Sequence, residues 1–338
     1  MQPARYRGER ESEPMRAIVF LVLATLFWAG NFVFGAAALE TVDPLSLTWI
    51  RWALALIPLI VVAQLVERPN WRAALRHLPL LALLGVLGIT GFSLMLYYAL
   101  EFTSPLNASL INAVNPALIV ILAAVLPGVL QGGHREGISW RSGLGILIGL
   151  IGVVIVITDG DVLAIVRNGL NPGDLLMLGA ILAWAIYTLV GRRIHDVPPI
   201  TATAIQATAA VVLLTPFALV NGITWPSDPA GWGAVGYIVV FPSIGAYLLW
   251  NAATRRVPAA TASIYINLMV VFTALIGLPF GFGISLVQVL GGLLVIGAVV
   301  LLARGTTRPG IAGPAPDIDP ETRVEPAGTS QVPRKPAL

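Results

Sequence analysis

Long apolar runs separated by short polar segments dominate the chain. They cover residues 17–38, 45–65, 78–100, 105–125 and 142–158, then 172–191, 198–220, 230–254, 259–278 and 284–303. A helix rises about 1.5 Å per residue, so each run comes near the roughly 20 residues that cross a hydrocarbon core of about 30 Å. The pattern predicts an all-α integral membrane protein with ten transmembrane helices. Pro105, Pro172 and Pro198 open three of the runs, where a missing N–H costs nothing. The first run exceeds the roughly 7–15 residues of a secretory signal core and reads as a retained span.

The runs also repeat. Trp28-Ala29-Gly30-Asn31-Phe32-Val33-Phe34-Gly35 in the first is echoed by Trp184-Ala185-Ile186-Tyr187-Thr188-Leu189-Val190-Gly191 in the sixth. In both, a Trp is followed at +3 and +4 by amide, hydroxyl or aromatic side chains and at +7 by Gly, offsets that share one helix face. Pro44 and Arg51 match Pro199 and Gln206, and Tyr97-Tyr98 before a polar turn matches Trp250-Asn251. Asn115 matches Asn267, and Gly152 matches Gly297. Five correspondences in one order define two five-helix repeats, residues 17–158 and 172–303, joined by an outer loop, 159–171. An odd number of spans inserts the second copy in the opposite sense. The expected architecture is therefore two inverted five-helix repeats, with a binding site near the bilayer midplane.

Charge fixes the orientation. If the N-terminus is cytoplasmic, eighteen of the twenty Lys and Arg residues fall on the cytoplasmic side; Arg167 alone lies opposite and Arg51 lies within a span. Both termini are thus expected inside. Residues 1–16 read as a cytosolic segment, and residues 304–338, with seven prolines and few large apolar residues, as a disordered cytosolic tail. Only 11% of residues are charged and 57% are hydrophobic, against about 25% charged in soluble domains. The lipid bilayer is the expected solvent, and no nucleic-acid partner is expected. Absence of cysteine removes disulfides and thiolate metal sites. No P-loop, dinucleotide fingerprint or metal-ligand cluster occurs, and His77, His134 and His195 lie in polar connections. The chain is expected to be no enzyme and to need no cofactor or metal.

Polar residues inside the runs concentrate on particular helices, where lipid contact would leave their hydrogen bonds unmade. Trp28, Asn31 and Phe32 stand in the first; Tyr97 in the third; Asn112 and Asn115 in the fourth. Trp184, Tyr187 and Thr188 stand in the sixth; Tyr247, Trp250 and Asn251 in the eighth; Ser263 and Asn267 in the ninth. The fifth and tenth runs are almost wholly Leu, Ile, Val and Gly. This partition predicts a cavity enclosed by helices 1, 3, 4, 6, 8 and 9, with those fourteen residues as substrate-binding candidates. Trp28, Trp184, Tyr247 and Trp250 are expected to enclose the substrate, and Asn31, Asn112, Asn115, Asn251 and Asn267 to bond its polar end. Interfacial anchoring accounts for Trp49, Trp52 and Tyr98. Arg51 stands near the outer end of its run, within snorkelling reach. It is read as a gating or rim residue pairing with Glu40, Asp43 or Glu101, with binding of a substrate carboxylate as the alternative. No Asp, Glu or His stands near the middle of any run, which favours facilitated diffusion or exchange over tight proton coupling. Gly85, Gly88 and Gly91 form a stripe read as close packing within the chain.

The Trp28-Ala-Gly-Asn-Phe opening, the Pro44-x6-Arg51 spacing, Asn115-Pro116 and the Gly-rich final run of each half resemble the EamA family of the drug/metabolite transporter superfamily. The resemblance covers about residues 17–303. It implies two inverted five-helix repeats in a bacterial inner membrane, a central cavity, and export of amino acids or similar small metabolites. The chain departs from the family at Leu126-Pro127-Gly128 and Leu278-Pro279-Phe280, where a Leu-Gly-Glu turn is common, and at Leu268, where a Pro is. The expected function is an alternating-access exporter of neutral or zwitterionic metabolites. Export of nucleosides, organic cations or drugs is the alternative, and a non-transporting membrane adaptor a more distant one. Oligomeric state stays open between monomer and homodimer.

Overall fold

Helix starts are written into the sequence as a capping side chain followed by proline. Asp43 accepts a hydrogen bond from Ser46 N (2.9 Å), Ser104 from Asn107 N (3.1 Å), Asn171 from Gly173 N (2.8 Å) and Asp228 from Gly231 N (2.6 Å). Each satisfies an N–H that has no intrahelical acceptor, and the proline that follows has none to satisfy. The computed structural model describes residues 5–125, 140–161, 163, 171–254, 256 and 265–305. Among them all regular structure is helical. The helices are α1 (Arg5–Ala38), α2 (Pro44–Glu67), α3 (Trp71–Leu100), α4 (Pro105–Val125), α5 (Trp140–Ile157), α6 (Pro172–Gly191), α7 (Pro199–Asn221), α8 (Pro229–Thr254), α9 (Leu268–Phe280) and α10 (Leu286–Gly305). Seven contain stretches long and apolar enough to cross a membrane. Three shorter apolar stretches, Gly143–Ile157, Leu268–Phe280 and Leu286–Leu301, lie in α5, α9 and α10. The chain is a multi-pass membrane protein. The expected tail, 304–338, lies almost wholly outside the described residues, as do His134 and Ser263.

Helix α1 includes residues from Arg5 on, within the segment read from sequence as polar and cytosolic. Arg and Glu are good helix formers, so the polar stretch continues the apolar helix instead of ending it.

Packing pairs the helices across the chain. α1 lies against α8 and α9, while α6 lies against α3 and α4; α2 packs on α7, and α5 on α10. The α5–α10 contact is glycine-mediated: a Cβ on Gly152 would come within 2.9 Å of the Gly291 carbonyl oxygen. The Gly85–Gly91 stripe works likewise within the chain. A Cβ on Gly88 would meet the Tyr187 ring of α6, and one on Gly85 would come within 2.5 Å of the Gln206 backbone oxygen of α7. Over Gly85–Gly91 the helix widens into π-helical turns; such segments also end α2 at Ala63–Glu67 and interrupt α8 around Pro242 at Phe241–Gly245. Helix α4 also breaks, at Ala113–Val114, just before Pro116, which lacks the N–H that would continue it. Pro58 and Pro216, by contrast, sit inside unbroken helix.

Helix α7 starts without a capping side chain of its own. Glu67, at the end of α2, accepts from Ile200 N (3.0 Å), Thr201 N (2.8 Å) and Thr201 Oγ1 (2.7 Å). A carboxylate there also meets the positive end of the helix dipole. Glu67→Ala is expected to lower stability by about 1–2 kcal/mol, read as a lower Tm in detergent. An unchanged Tm would mean that water replaces the cap at no cost.

Candidate substrate-binding site

Between the packed helices lies a cavity of about 130 Å³, roughly ten times what one water needs. Trp28, Asn31 and Phe32 of α1 line it, with Arg51 and Trp52 of α2 and Gly88, Phe92 and Ser93 of α3. Asn112, Asn115, Pro116 and Ile119 come from α4, Trp184 from α6 and Tyr247 from α8, with Ile266 and Met269 from the α9 region. No described residue of α5 or α10 is among the lining. Among the described residues the wall contains no Asp, Glu or His.

Six aromatic rings stand in the wall: Trp28, Phe32, Trp52, Phe92, Trp184 and Tyr247. Trp28 meets Tyr247 edge to face, with centroids 5.7 Å apart, and Trp250, which is not in the lining, lies 5.4 Å from Trp28. Trp184 lies 5.1 Å from Phe92 and 5.1 Å from Tyr187. The Trp28 indole Nε1 donates to the Pro242 carbonyl (3.2 Å), inside the widened segment of α8. Trp52, assigned from sequence to the interfacial belt, is instead 1% exposed; its Nε1 donates to Ser93 Oγ (3.4 Å) and its ring lies 6.3 Å from that of Tyr247.

Arg51 turns inward. It is 5% exposed, so it does not snorkel. Its Nε donates to Ser243 Oγ (2.7 Å), and its Nη1 to Asn31 Oδ1 (3.1 Å) and Tyr97 Oη (2.9 Å). Tyr97 in turn donates to the same Asn31 oxygen (3.0 Å), and the guanidinium carbon lies 4.9 Å from the Trp52 ring centroid. These acceptors come from α8, α1 and α3, and every one is neutral. The expected pairing with Glu40, Asp43 or Glu101 does not occur. Glu101 follows the end of α3 and is exposed; partial burial, and then the Asp43 carboxylate, push its carboxyl above the ordinary value.

Of the other candidates, Trp28, Asn31, Phe32, Asn112, Asn115, Trp184 and Tyr247 line the cavity. Tyr97 is buried behind Asn31, and Tyr187 sits beside Trp184, its hydroxyl donating to Gln206 Oε1 (3.3 Å). Thr188 returns its hydroxyl to the Trp184 carbonyl (2.8 Å), a bond within its own helix. Trp250, Asn251 and Asn267 are not in the wall. Asn112 Nδ2 faces Met269 Sδ at 3.6 Å. Asn115 is 7% exposed, and its Oδ1 accepts no hydrogen bond. Sequence reasoning missed Trp52, Phe92, Ser93, Ile119 and Met269. Phe92 stands five residues before Tyr97 and Trp52 directly follows Arg51, so helical spacing from the chosen residues pointed to neither.

A bundle of membrane-spanning helices around a cavity lined by rings and amides is the build of a solute carrier. Residues 15–158 and 171–304 each match the EamA-like transporter family, and the chain belongs to that family and to the drug/metabolite transporter superfamily. It is accordingly a transporter and not an enzyme. Its relatives include the uncharacterized transporter YyaM of Bacillus subtilis, 29% identical over 86% of this chain and 94% of that protein. Others are an uncharacterized transporter of Archaeoglobus fulgidus (28%; 76% and 86% covered) and the uncharacterized inner membrane transporter YedA of Escherichia coli K12 (26%; 83% and 88% covered). One solved structure shares the fold at a TM-score of 0.58, with 22% identity over 85% of this chain and 97% of that one.

Proposed function

We propose that this transporter exports amino acids or similar small neutral or zwitterionic metabolites across a bacterial inner membrane by alternating access. Ten membrane helices in two inverted five-helix repeats, with both termini cytoplasmic, would rock about the central cavity. The observation that carries the reading is the cavity wall itself: Trp and Tyr rings with Asn side chains among them, contributed by helices of both halves. The exchange of packing partners between halves, α1 on α8 and α9 as α6 on α3 and α4, supports the repeat. Residence in an inner membrane is supported by the name of the relative YedA. The cation in the wall, with no carboxylate beside it, speaks against organic cations as substrates.

Counterflow in proteoliposomes against labelled amino acids tests the reading. Saturable exchange of at least one amino acid is expected. Asn115→Ala is expected to slow it about threefold to tenfold, the loss of one hydrogen bond, without loss of expression. Absence of exchange for every amino acid, with exchange of nucleosides instead, would overturn the substrate class. Unsaturable flux would overturn the carrier mechanism.

A further inference from the structure

The Arg51 guanidinium is a cation with five N–H donors in a planar fork. Three of the five are used: Nε on Ser243, and both hydrogens of Nη1 on Asn31 and Tyr97. The two on Nη2 bond to none of the described residues, and Arg51 is part of the cavity wall. None of its three acceptors carries a charge. Burying a cation without an anion is costly, and the attraction it exerts on an arriving anion is strong in the same low-dielectric setting. An intramembrane ionisable side chain facing a cavity marks a candidate functional site.

We infer that Arg51 is the anchor for a substrate carboxylate, received on its Nη2 edge, and that Asn115 takes an N–H of the same molecule. This rests on the transporter reading above and deepens it by assigning which groups the substrate must carry. The fork is already oriented: bonds to three helices and the Trp52 ring fix its plane, so little ordering remains to be done on binding. Asn115 Oδ1 is a buried acceptor with no donor, in the wall of the same cavity. Leaving it unmet is unfavourable, so a substrate N–H gains more there than an exposed acceptor would offer. Apart from Asn31, Ser93 and Asn112, the remaining described wall is ring, aliphatic and thioether surface, suited to an apolar body. One cation balances one carboxylate. Dicarboxylates and phosphate dianions would bring a second charge that no described residue of the wall meets, and amines without a carboxylate would face Arg51 unshielded.

The test uses the full chain in detergent and four compounds on one skeleton: L-phenylalanine, 3-phenylpropanoate, L-phenylalaninamide and 2-phenylethylamine. Binding is read by quenching of tryptophan fluorescence and by thermal shift. The two carboxylates are expected to bind about tenfold or more tighter than the amide and the amine, the range of a hydrogen bond to a charged group. L-Phenylalanine, which also offers N–H donors, is expected to bind tighter than 3-phenylpropanoate, and Asn115→Ala to erase that second difference. Arg51→Gln is expected to remove the preference for carboxylates, and Arg51→Lys to keep part of it. Equal binding of all four by the unaltered protein overturns the anchor and leaves the carrier reading standing. So does an Arg51→Gln variant that weakens all four alike, which a structural tether would do. Should Arg51→Gln fail to fold, the comparison of the four compounds on the unaltered protein still decides. Binding of none of them overturns the anchor together with the amino-acid-like substrate class.

Discussion

Asn31→Ala is expected to cost the folded protein about 3 kcal/mol and to abolish counterflow, whereas Asn31→Asp is expected to keep or raise Tm and still reduce flux about tenfold. The Asn31 Oδ1 accepts from both Arg51 Nη1 and Tyr97 Oη. Truncation leaves a buried cation and a buried hydroxyl short of an acceptor at once. Aspartate at the same position keeps both bonds and adds the negative charge that Arg51 lacks, so the tertiary structure gains. That charge also occupies the guanidinium electrostatically, and a carboxylate solute then finds its partner taken. The opposed signs on stability with the shared sign on flux separate a packing role from a binding role. Wild-type flux in Asn31→Asp would show that a free cation is not required.

Gly85→Val is expected to be worse still for folding, at about 3 kcal/mol or more, because the obstacle is main chain. A Cβ at Gly85 would come within 2.5 Å of the Gln206 backbone oxygen, and α7 cannot move away without leaving α2, against which it packs. The measurement is the monodisperse fraction in detergent and its Tm, beside Gly236→Val in α8, whose Cβ would meet nothing within 4 Å. Equal yields and equal Tm for the two variants would remove the close contact from the account.

The sequence made helix positions legible because their determinants are local. A cap, a proline and a run of about twenty apolar residues need no knowledge of neighbours. The expected spans match the helices to within a few residues except in α1, helical from Arg5, in α3, which begins at Trp71, and in α9, which begins at Leu268 where the expected run opens at 259, among residues outside those described. The Trp28–Asn31–Phe32 face was legible for the same reason, since helical spacing alone puts these residues together. Arg51 was not. Its place in the run suggested snorkelling, but its direction is set by oxygens on Asn31, Tyr97 and Ser243, which come from three other helices. Trp52 went astray with it: an aromatic near a helix end looks like an anchor until the helix is known to border a cavity. The widened segment at Gly85–Gly91 has no proline to announce it. Its glycines signalled close approach, and only the packed structure shows that the helical turn itself opens.

The capped helix starts carry a consequence for how such a chain is made. Asp43, Ser104, Asn171 and Asp228 each close the helix that begins at the very next residue, and Glu67, which closes α7, leaves the ribosome long before Ile200 and Thr201 do. None of these five boundaries waits on a residue still to be synthesised. A nascent chain can therefore commit each of these segments to the bilayer as it emerges, leaving only the lateral assembly of finished helices for later.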